Sequence, residues 1–455
     1  MSAPVLSIVI LAAMFLLATV LPLNMGALAF VGAFLLGTVV LGMSTSDILA
    51  NFPGGLFLTI VGVTYLFAIA QNNGTIDLLV RGAVRLVGSR VALIPWVMFA
   101  ITAVITAVGA LSPAAVAIIA PIALSFAGKY KISPLLMGMM VIHGAQAGGF
   151  SPIAVYGVTV NGILAKTDLA FSPTALFLSS LIFNVVIALV LFVVLGGKKL
   201  LSSKVSHFVE QAAEARMAVS VGAKAGPDVP FKGFGSGMYG PRDPAGDGVA
   251  ATKERSARIP QLVTIGGLIA LAVIALGFKV DVGFVSITIA IVLALVSPAA
   301  QKGAINKISW STVLLICGML TFVGVLEEAG TIEFVSNGVA GMGMPLVAAL
   351  LICYIGAVVS AFASSTAILA ALIPLAVPFL STGEIGAVGV ICALAVAATI
   401  VDVSPFSTNG ALVLANAPEG VDKDKFYKQI LGYSGIVIVA GPLLAWLALV
   451  VPGWL

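Results

Sequence analysis

The chain has 455 residues, of which 60% are apolar and only 9% are charged. Soluble domains carry roughly a quarter of charged residues, so this composition excludes a soluble globular protein and indicates a chain whose main solvent is lipid. The formal net charge of +4 is small and gives no support for a nucleic-acid partner.

Apolar segments long enough to cross a bilayer, about 20 residues each, recur along the whole chain. We predict an all-α polytopic membrane protein with ten transmembrane helices and two re-entrant hairpins. The hairpins are expected at about residues 91–128 and 344–380, which are apolar but interrupted near the middle. The transmembrane helices are expected at residues 5–23, 26–43, 54–70, 134–164, 172–195, 260–278, 283–297, 310–326, 384–416 and 426–451.

The basic residues predict the orientation. With the first residue outside, all of the 22 Lys and Arg except Lys166 and Lys279 lie inside, as the positive-inside rule demands. We therefore expect a multi-pass protein of the bacterial inner membrane with both termini outside. The three cysteines, two histidines and remaining motifs show no metal-ligand spacing, phosphate loop or catalytic triad, so the sequence predicts no enzyme.

An internal repeat is the most informative feature of the sequence. ALSPAAVAIIAPIAL, starting at Ala110, aligns with ASSTAILAALIPLAV, starting at Ala363, at a shift of 253 residues. The same shift places SPIAVYG, starting at Ser151, on SPFSTNG, starting at Ser404. The segments NGTID and AGTIE correspond at a shift of 256.

The repeat predicts the domain organisation. Five spans precede a Gly- and Ala-rich basic segment and five follow it, so the second copy enters the membrane from the opposite side, as in inverted-repeat secondary transporters. We divide the chain into a first repeat at residues 1–197, a cytoplasmic linker at 198–258 and a second repeat at 259–455. Each repeat contains one hairpin and one broken span, at about 134–164 and 384–416.

Four matched positions carry residues typical of helix starts. Ser112, Ser151 and Ser404 each precede a proline, which predicts an N-cap hydroxyl followed by proline at the first helical position. The fourth position, at residues 364–366, offers three hydroxyls. The hairpin arms at 114–128 and 367–380 are too short for a hydrocarbon core of about 30 Å. Unwound backbone at membrane depth is tolerated where it is packed in protein or lines a cavity, so we expect one shared cavity.

The free N–H groups and partial positive charge of helix N-termini favour a bound anion. No Lys or Arg lies in these segments, so dipoles, hydroxyls and amides would have to hold it. The predicted substrate-binding residues are Ser112, Gln146, Ser151, Ser365, Thr366, Ser404, Ser407, Thr408 and Asn409.

These groups are too weak to desolvate a dianion, whose burial costs several kcal/mol per charge, so a cation is expected to accompany it. Unwound carbonyls and hydroxyls are the usual oxygen ligands of sodium in such folds. We therefore predict Na⁺ as a co-transported ion. The predicted sodium ligands are Leu111, Ser112, Gly148, Gly149, Ser364, Thr366, Asp402 and Ser404.

Each of these residues also has a purely structural interpretation. A Ser-Pro pair in a membrane helix can simply relieve a kink through local hydrogen bonds. Asp402, the only acidic residue expected deep in a span, either binds a cation or caps the backbone locally. His143 either carries a proton or packs as a hydrogen-bonded core residue.

Two motifs resemble a known family. ASSTAILAALIPLA and SPFSTNGALVLANAP resemble the Ser-Asn-Thr hairpin and the Ser-Thr-Pro-Pro-Asn break of the divalent anion:sodium symporters, within the ion transporter superfamily. GVTYLFAIAQNNGTID, starting at Gly62, resembles the malonate and dicarboxylate carriers of the MatC type. The chain departs from the family pattern because Asn is absent from both triplets and Pro113 replaces a hydroxyl.

The resemblance implies an elevator mechanism, in which hairpins and broken spans slide against a scaffold that pairs as a homodimer. It places residues 364–366 at the second triplet, Leu111, Ser112 and Pro113 at the first, and Thr408 at the threonine of the second break. The predicted function is sodium-coupled import of a short dicarboxylate, with malonate as the substrate. A proton-coupled carrier using Asp402 or His143 and, in a different class, an anion channel or pump subunit are the alternatives.

Overall fold

The computed structural model describes residues 2–21, 23–86, 90–201, 247–278, 280–340, 344–361, 365–381, 383–418 and 420–453. These residues form α-helices joined by short turns, and no strand occurs among them. Six helices are long and apolar enough to cross a membrane, and shorter apolar helices accompany them. The all-helical polytopic fold is thereby confirmed, while the number of membrane crossings stays a prediction.

Helices of the first half follow the predicted spans and hairpin arms closely. The second helix continues as a π-helical turn at Leu35–Val40. The helices are α1 (Ala3–Val20), α2 (Met25–Phe34), α3 (Thr45–Ala50), α4 (Gly54–Asn72), α5 (Thr75–Leu86), α6 (Leu93–Ala107), α7 (Ser112–Lys129), α8 (Pro134–Gly149), α9 (Val155–Leu164), α10 (Pro173–Val194) and α11 (Gly197–Leu201).

Helices of the second half also follow the predicted spans and hairpin arms, with one exception. α12 begins at Asp247 and therefore lies partly within the predicted linker, most of which falls outside the described residues. The helices are α12 (Asp247–Gly277), α13 (Val282–Val296), α14 (Pro298–Gln301), α15 (Trp310–Glu328), α16 (Thr331–Ala340), α17 (Pro345–Ser360), α18 (Ser365–Leu380), α19 (Ala387–Ile400), α20 (Thr408–Ala415) and α21 (Lys423–Leu449).

Helix bounds in the two halves correspond at the spacings found in the sequence. The shift of 256 residues carries both ends of α4 onto both ends of α15. The shift of 253 carries the first residues of α7, α8 and α9 onto those of α18, α19 and α20. The same local sequence signals therefore start and stop helices in both halves.

Buried apolar side chains divide the molecule into two parts. The largest cluster comes mainly from α6–α10 and α17–α21, which we call the site bundle. Three smaller clusters come mainly from α1, α2, α4, α12, α13 and α15, which we call the frame. One face of α18 packs on the frame through Ala367, Ala370 and Ala371.

Glycines let the frame helices touch backbone to backbone. α2 packs on α15, and a Cβ added at Gly318 would overlap the carbonyl oxygen of Gly26. α4 packs on α13 in the same way, because a Cβ at Gly62 would crowd the Gly283 carbonyl oxygen. Small residues at such crossings allow the close approach that membrane helices need.

The segment QNN, residues 71–73, connects the two halves of the chain through hydrogen bonds. Asn73 ends α4, and its Oδ1 accepts a hydrogen bond from the Thr75 N–H at 3.0 Å, so it caps α5. Its Nδ2 donates to Thr264 Oγ1 on α12 at 2.6 Å. Asn73 thus marks a helix end and also makes a contact between the two halves.

Candidate functional site

The tip of the first hairpin is buried against the second half of the chain. The turn between α6 and α7 requires Gly109, whose φ is +117°, because residues with a Cβ rarely adopt that region. Ser112, the first residue of α7, is 3% exposed. Its Oγ accepts a hydrogen bond of 2.8 Å from Asn409 Nδ2 on α20.

The start of α18, in the second hairpin, is buried in the corresponding way. Residues 362–364 lie outside the described residues, and with them the predicted sodium ligand Ser364. Ser365 starts α18, and its Oγ donates a hydrogen bond of 2.8 Å to Asp402 Oδ1. The neighbouring Thr366 is buried and faces the Tyr156 hydroxyl on α9.

The first broken span is interrupted between α8 and α9. Just before the break, Gln146 Nε2 donates to the Thr399 carbonyl oxygen at 2.8 Å. Because that partner only accepts hydrogen bonds, the orientation of the amide is fixed. Gln146 Oε1 then remains buried without a hydrogen bond to any described residue. Gly148 packs so closely on α6 that a Cβ would overlap the Ala103 carbonyl oxygen.

The second broken span is interrupted by a 3₁₀ turn at Val401–Val403. Asp402 in this turn is 7% exposed. Ser407 caps α20 by accepting from the Gly410 N–H at 3.3 Å. Asn409 follows on α20, and its Oδ1 is buried with no hydrogen bond among the residues described here.

The structure brings most of the predicted residues together. Ser112, Gln146, Ser151, Ser365, Thr366, Ser404, Ser407 and Asn409 are all buried at the two tips and the two breaks, and so are Gly148, Gly149 and Asp402 among the predicted sodium ligands. Thr408 differs because its side chain is exposed, and Leu111 is half-buried.

The predicted N-cap roles are wrong for three serines. Ser112 is the first helical residue of α7 and not its cap, which is Leu111. α9 starts after Ala154 without a side-chain cap, so Ser151 does not cap it. Ser404 is extended, as a residue before proline is biased to be. The helix therefore starts further on, and Ser407 provides the cap.

Sequence reasoning missed two buried residues of this region, Tyr156 and Thr399. Gln146 and Thr399 are 253 residues apart, and Tyr156 stands at the same spacing from Asn409. Aligning every position around the breaks at this spacing, and not only the serines and prolines, would have identified Tyr156 and Thr399.

His143 lies in a satisfied hydrogen-bond network within the site bundle. Its Nδ1 is 2.8 Å from Asn184 Oδ1, and its Nε2 is 2.6 Å from the Tyr433 hydroxyl. Asn184 Nδ2 donates to the Ser180 carbonyl oxygen at 2.9 Å, which fixes Oδ1 as the acceptor. A neutral His143 therefore carries its proton on Nδ1, and the ring ties together α8, α10 and α21.

A cavity of about 860 Å³ lies elsewhere, between α10 and α21. It is lined mainly by apolar side chains such as Ile182, Val186 and Leu444, which are also among the exposed ones. Such a surface suits lipid tails, and the only polar side chains in its lining are the hydroxyls of Ser172, Thr174, Ser179 and Tyr433. The candidate site is therefore the set of tips and breaks.

Apolar helices interrupted at buried polar positions define a membrane transport protein. Residues 1–149 match the family model described as "Dicarboxylate carrier protein MatC N-terminus". The match confirms the predicted resemblance to MatC-type carriers over these residues, and a carrier, as the family model is described, is not an enzyme.

One solved structure supports the fold. The crystal structure of the Alcanivorax borkumensis YdaH transporter is 16% identical and covers 88% of this chain and 86% of its own, with a TM-score of 0.57. At this identity the likeness shows a shared fold alone. No curated protein matches the chain.

Proposed function

We propose that the protein is a secondary carrier that imports a short dicarboxylate, malonate in the first instance, together with sodium ions. The match of residues 1–149 to a dicarboxylate carrier family supports the substrate class. The main observation behind the proposal is that each hairpin forms a hydrogen bond with a broken span. Ser112 of the first hairpin bonds to Asn409, and Ser365 of the second bonds to Asp402.

The same geometry supports an anionic substrate. α7, α9, α18 and α20 all begin at these tips and breaks, so their N-terminal N–H groups and dipoles are directed at one region. The buried oxygens of Gln146 and Asn409 have no hydrogen-bond partner within the part of the chain that the structure describes. Buried polar groups without partners are rare in native proteins and favour a ligand that supplies the missing contact.

Sodium coupling rests on charge. The tips and breaks contain no Lys or Arg, so a bound dianion would be buried without compensation, which costs several kcal/mol per charge. Carbonyl and hydroxyl oxygens at Ser112, Gly149, Thr366 and Ser404 are suitable ligands for sodium ions that would compensate it.

Elevator movement of the site bundle against the frame completes the proposal. The two parts have separate buried apolar clusters, which supports relative motion. We further propose that the protein lies in the bacterial inner membrane with both termini outside, and that two copies pair through their frames.

Uptake of labelled malonate into proteoliposomes tests this function. Uptake should be fast under an inward sodium gradient and low when choline replaces sodium, with protein-free liposomes as the blank. Equal rates in the two salts would remove sodium coupling. Competition by unlabelled succinate and glutarate measures the preferred chain length.

Exchange separates a carrier from a channel. A carrier should exchange external labelled malonate for internal unlabelled malonate with saturation, because each turnover needs the loaded site. Non-saturating flux that is indifferent to internal malonate would contradict the proposal.

A further inference from the structure

Two helices of the site bundle, α10 and α21, are much less buried than the other long apolar helices. Among the six described helices that are long enough to cross a membrane, only 28% of the apolar stretch of α10 and 33% of that of α21 are buried, less than in any of the other four. Leu178 and Val190 on α10 and Ile436 on α21 are among the exposed large side chains. Exposed apolar surface of this extent marks contact with a membrane. The two helices therefore form a side of the site bundle that faces lipid.

The cavity of about 860 Å³ is a long crevice between these two helices. Its lining runs along α10 from Ser172 to Leu191 and along α21 from Leu449 back to Tyr433. At 1.5 Å per residue these stretches are about 24–29 Å long, close to the hydrocarbon core of a bilayer. Spread over that length, the volume gives a cross-section of roughly 30–35 Å², whereas a helix about 10 Å across needs about 80 Å². The crevice therefore has the width of an acyl chain and not that of another helix.

The floor of the crevice is the end of α19. Both α10 and α21 pack on α19, whose last residue, Ile400, is fully buried and lines the crevice. A Cβ added at Gly441, halfway along the lining of α21, would overlap Ile400 Cδ1, so this glycine lets the two helices meet. Ile400 directly precedes the 3₁₀ turn of the second break. An occupant of the crevice therefore supports that break from the lipid side.

Polar groups lie mainly at one end of the crevice. The hydroxyls of Ser172, Thr174 and Ser179 lie within the first two turns of α10. At the other end the Tyr433 hydroxyl is 2.6 Å from His143 Nε2 and is thereby engaged. No charged side chain lines the crevice among the described residues. The Ser172 end thus offers hydrogen-bond donors to a phosphate, but no basic group that would select an anionic headgroup.

We propose that the crevice binds one phospholipid, with its headgroup beside Ser172 and Thr174 and one acyl chain between α10 and α21. A chain from one leaflet covers half of the hydrocarbon core, about 15 Å, so its end lies at Gly441 and Ile400. Packing against the apolar walls holds the chain, and the affinity therefore depends little on the charge of the headgroup. The site does not depend on which solute the protein carries.

Lipid binding to the purified full-length protein tests the site. The protein is washed free of lipid in detergent and titrated with dioleoylphosphatidylethanolamine in mixed micelles while the unfolding temperature is measured. The wild type should show a saturable rise, because a ligand of the folded state stabilises it by mass action. Dioleoylphosphatidylglycerol should bind within about threefold of the same affinity, since no basic group lines the crevice. A rise that never saturates, or one that requires phosphatidylglycerol, would contradict the proposal.

Oleate separates a phospholipid from a free fatty acid as the occupant. It has the same chain but lacks the phosphate that the hydroxyls at the Ser172 end would contact. We therefore expect its apparent affinity, measured by the same titration, to be about tenfold weaker or less. Binding of oleate as tight as that of the phospholipid would contradict a headgroup at this end.

Two variants fill the crevice. Ala175 on α10 and Ala440 on α21 line its walls, and A175F and A440F each place a ring where the chain would lie. Each should weaken the apparent affinity for dioleoylphosphatidylethanolamine about tenfold or more, and either one suffices if the other does not fold. V185F and V439F add the same ring to the same helices at exposed positions outside the lining and should bind like the wild type. Equal binding by all four variants would overturn the proposal.

Cross-linking in proteoliposomes locates the chain in the otherwise unmodified protein. Phosphatidylethanolamine with a diazirine at the end of one acyl chain should label the middle of α10 and α21, around Ile182 and Ala440. Labelling without enrichment there would show only bulk lipid and overturn the proposal. The native cysteines are buried, so I182C also tests for a second copy of the chain. A disulfide between I182C of two copies would assign the crevice to that copy instead of a lipid.

Discussion

Single hydrogen bonds join the two halves of the chain at the site. Asn409 on α20 reaches the tip of the first hairpin at Ser112, and Gln146 on α8 reaches the end of α19 at Thr399. Both amides keep a buried oxygen that has no partner in the described ranges of the chain. Asn409 thus holds the first hairpin tip, Gln146 joins the two broken spans, and each still has an oxygen left for a ligand.

Replacing Asn409 with alanine should impair transport. The change removes the hydrogen bond to Ser112 Oγ and one free oxygen of the site, each worth about 1–3 kcal/mol when buried. We expect kcat/KM for malonate to fall roughly 5- to 100-fold, measured from initial rates in proteoliposomes.

Asn416 supplies the matched control. It lies at the other end of α20, where its Nδ2 donates to the Leu412 carbonyl oxygen at 2.8 Å. N416A should transport within about twofold of the wild type, since it removes only a local contact. If N409A and N416A behave alike, Asn409 is not part of the site.

Which residue types occur at the site could be predicted from the sequence, but their partners could not. Hydroxyls and amides beside Ser-Pro pairs marked the breaks, and the buried set includes Ser112, Gln146 and Asn409. The contact between Asn409 and Ser112 joins residues 297 positions apart, which local patterns do not encode. The capping role of Ser404 failed because the proline after it keeps it extended and delays the helix, whereas that of Ser112 failed because Ser112 enters the first turn of α7.

Broken helices depend on glycine where the chain turns back on itself. A Cβ at Gly410 would overlap the Ser404 carbonyl oxygen, and a Cβ at the matching Gly157 would overlap that of Ser151. The start of each half-helix is thus in contact with the loop before it. No side chain fits between them.

The variant G410A should destabilise the protein. Forcing a methyl group into this contact requires backbone shifts that typically cost about 1–3 kcal/mol, so the unfolding temperature in detergent should drop and the folded peak in size-exclusion chromatography should shrink. G432A on α21 is the control, because its Cβ would meet nothing within 4 Å. Equal stability of the two variants would contradict the close contact.

Helix positions were more predictable than helix lengths. The span expected at 54–70 is Gly54–Asn72 in the structure. The hairpin arm expected at 114–128 is Ser112–Lys129, about 27 Å long at 1.5 Å per residue. It is longer because Ser112 and Pro113 enter the first helical turn, where a missing N–H has no cost. The length of α7 is therefore weaker support for a re-entrant hairpin than the burial of the hairpin tip at Ser112.

The orientation of the whole molecule follows from its basic residues and can be measured. Lys166 and Lys302 are both exposed, and the positive-inside rule puts them on opposite sides of the membrane. In intact spheroplasts an impermeant maleimide should label K166C, whereas K302C should react only after the membrane is opened.

The native thiols should not interfere with this labelling. Cys317, Cys353 and Cys392 are all buried, so the unmodified chain is the blank. Labelling of K302C in intact cells would reverse the orientation, and labelling of both variants there would contradict an odd number of crossings between them.

Two backbone crossings, Gly26 on Gly318 and Gly62 on Gly283, hold the frame together. Every missense change in a glycine codon adds at least one carbon, and none of the four positions has room for it. Shrinking a neighbouring side chain would not make room, because at each of the four positions a main-chain atom lies less than 3.0 Å from the added Cβ. We therefore expect inherited variation to spare these four sites and to accumulate on the flanks that lipid covers.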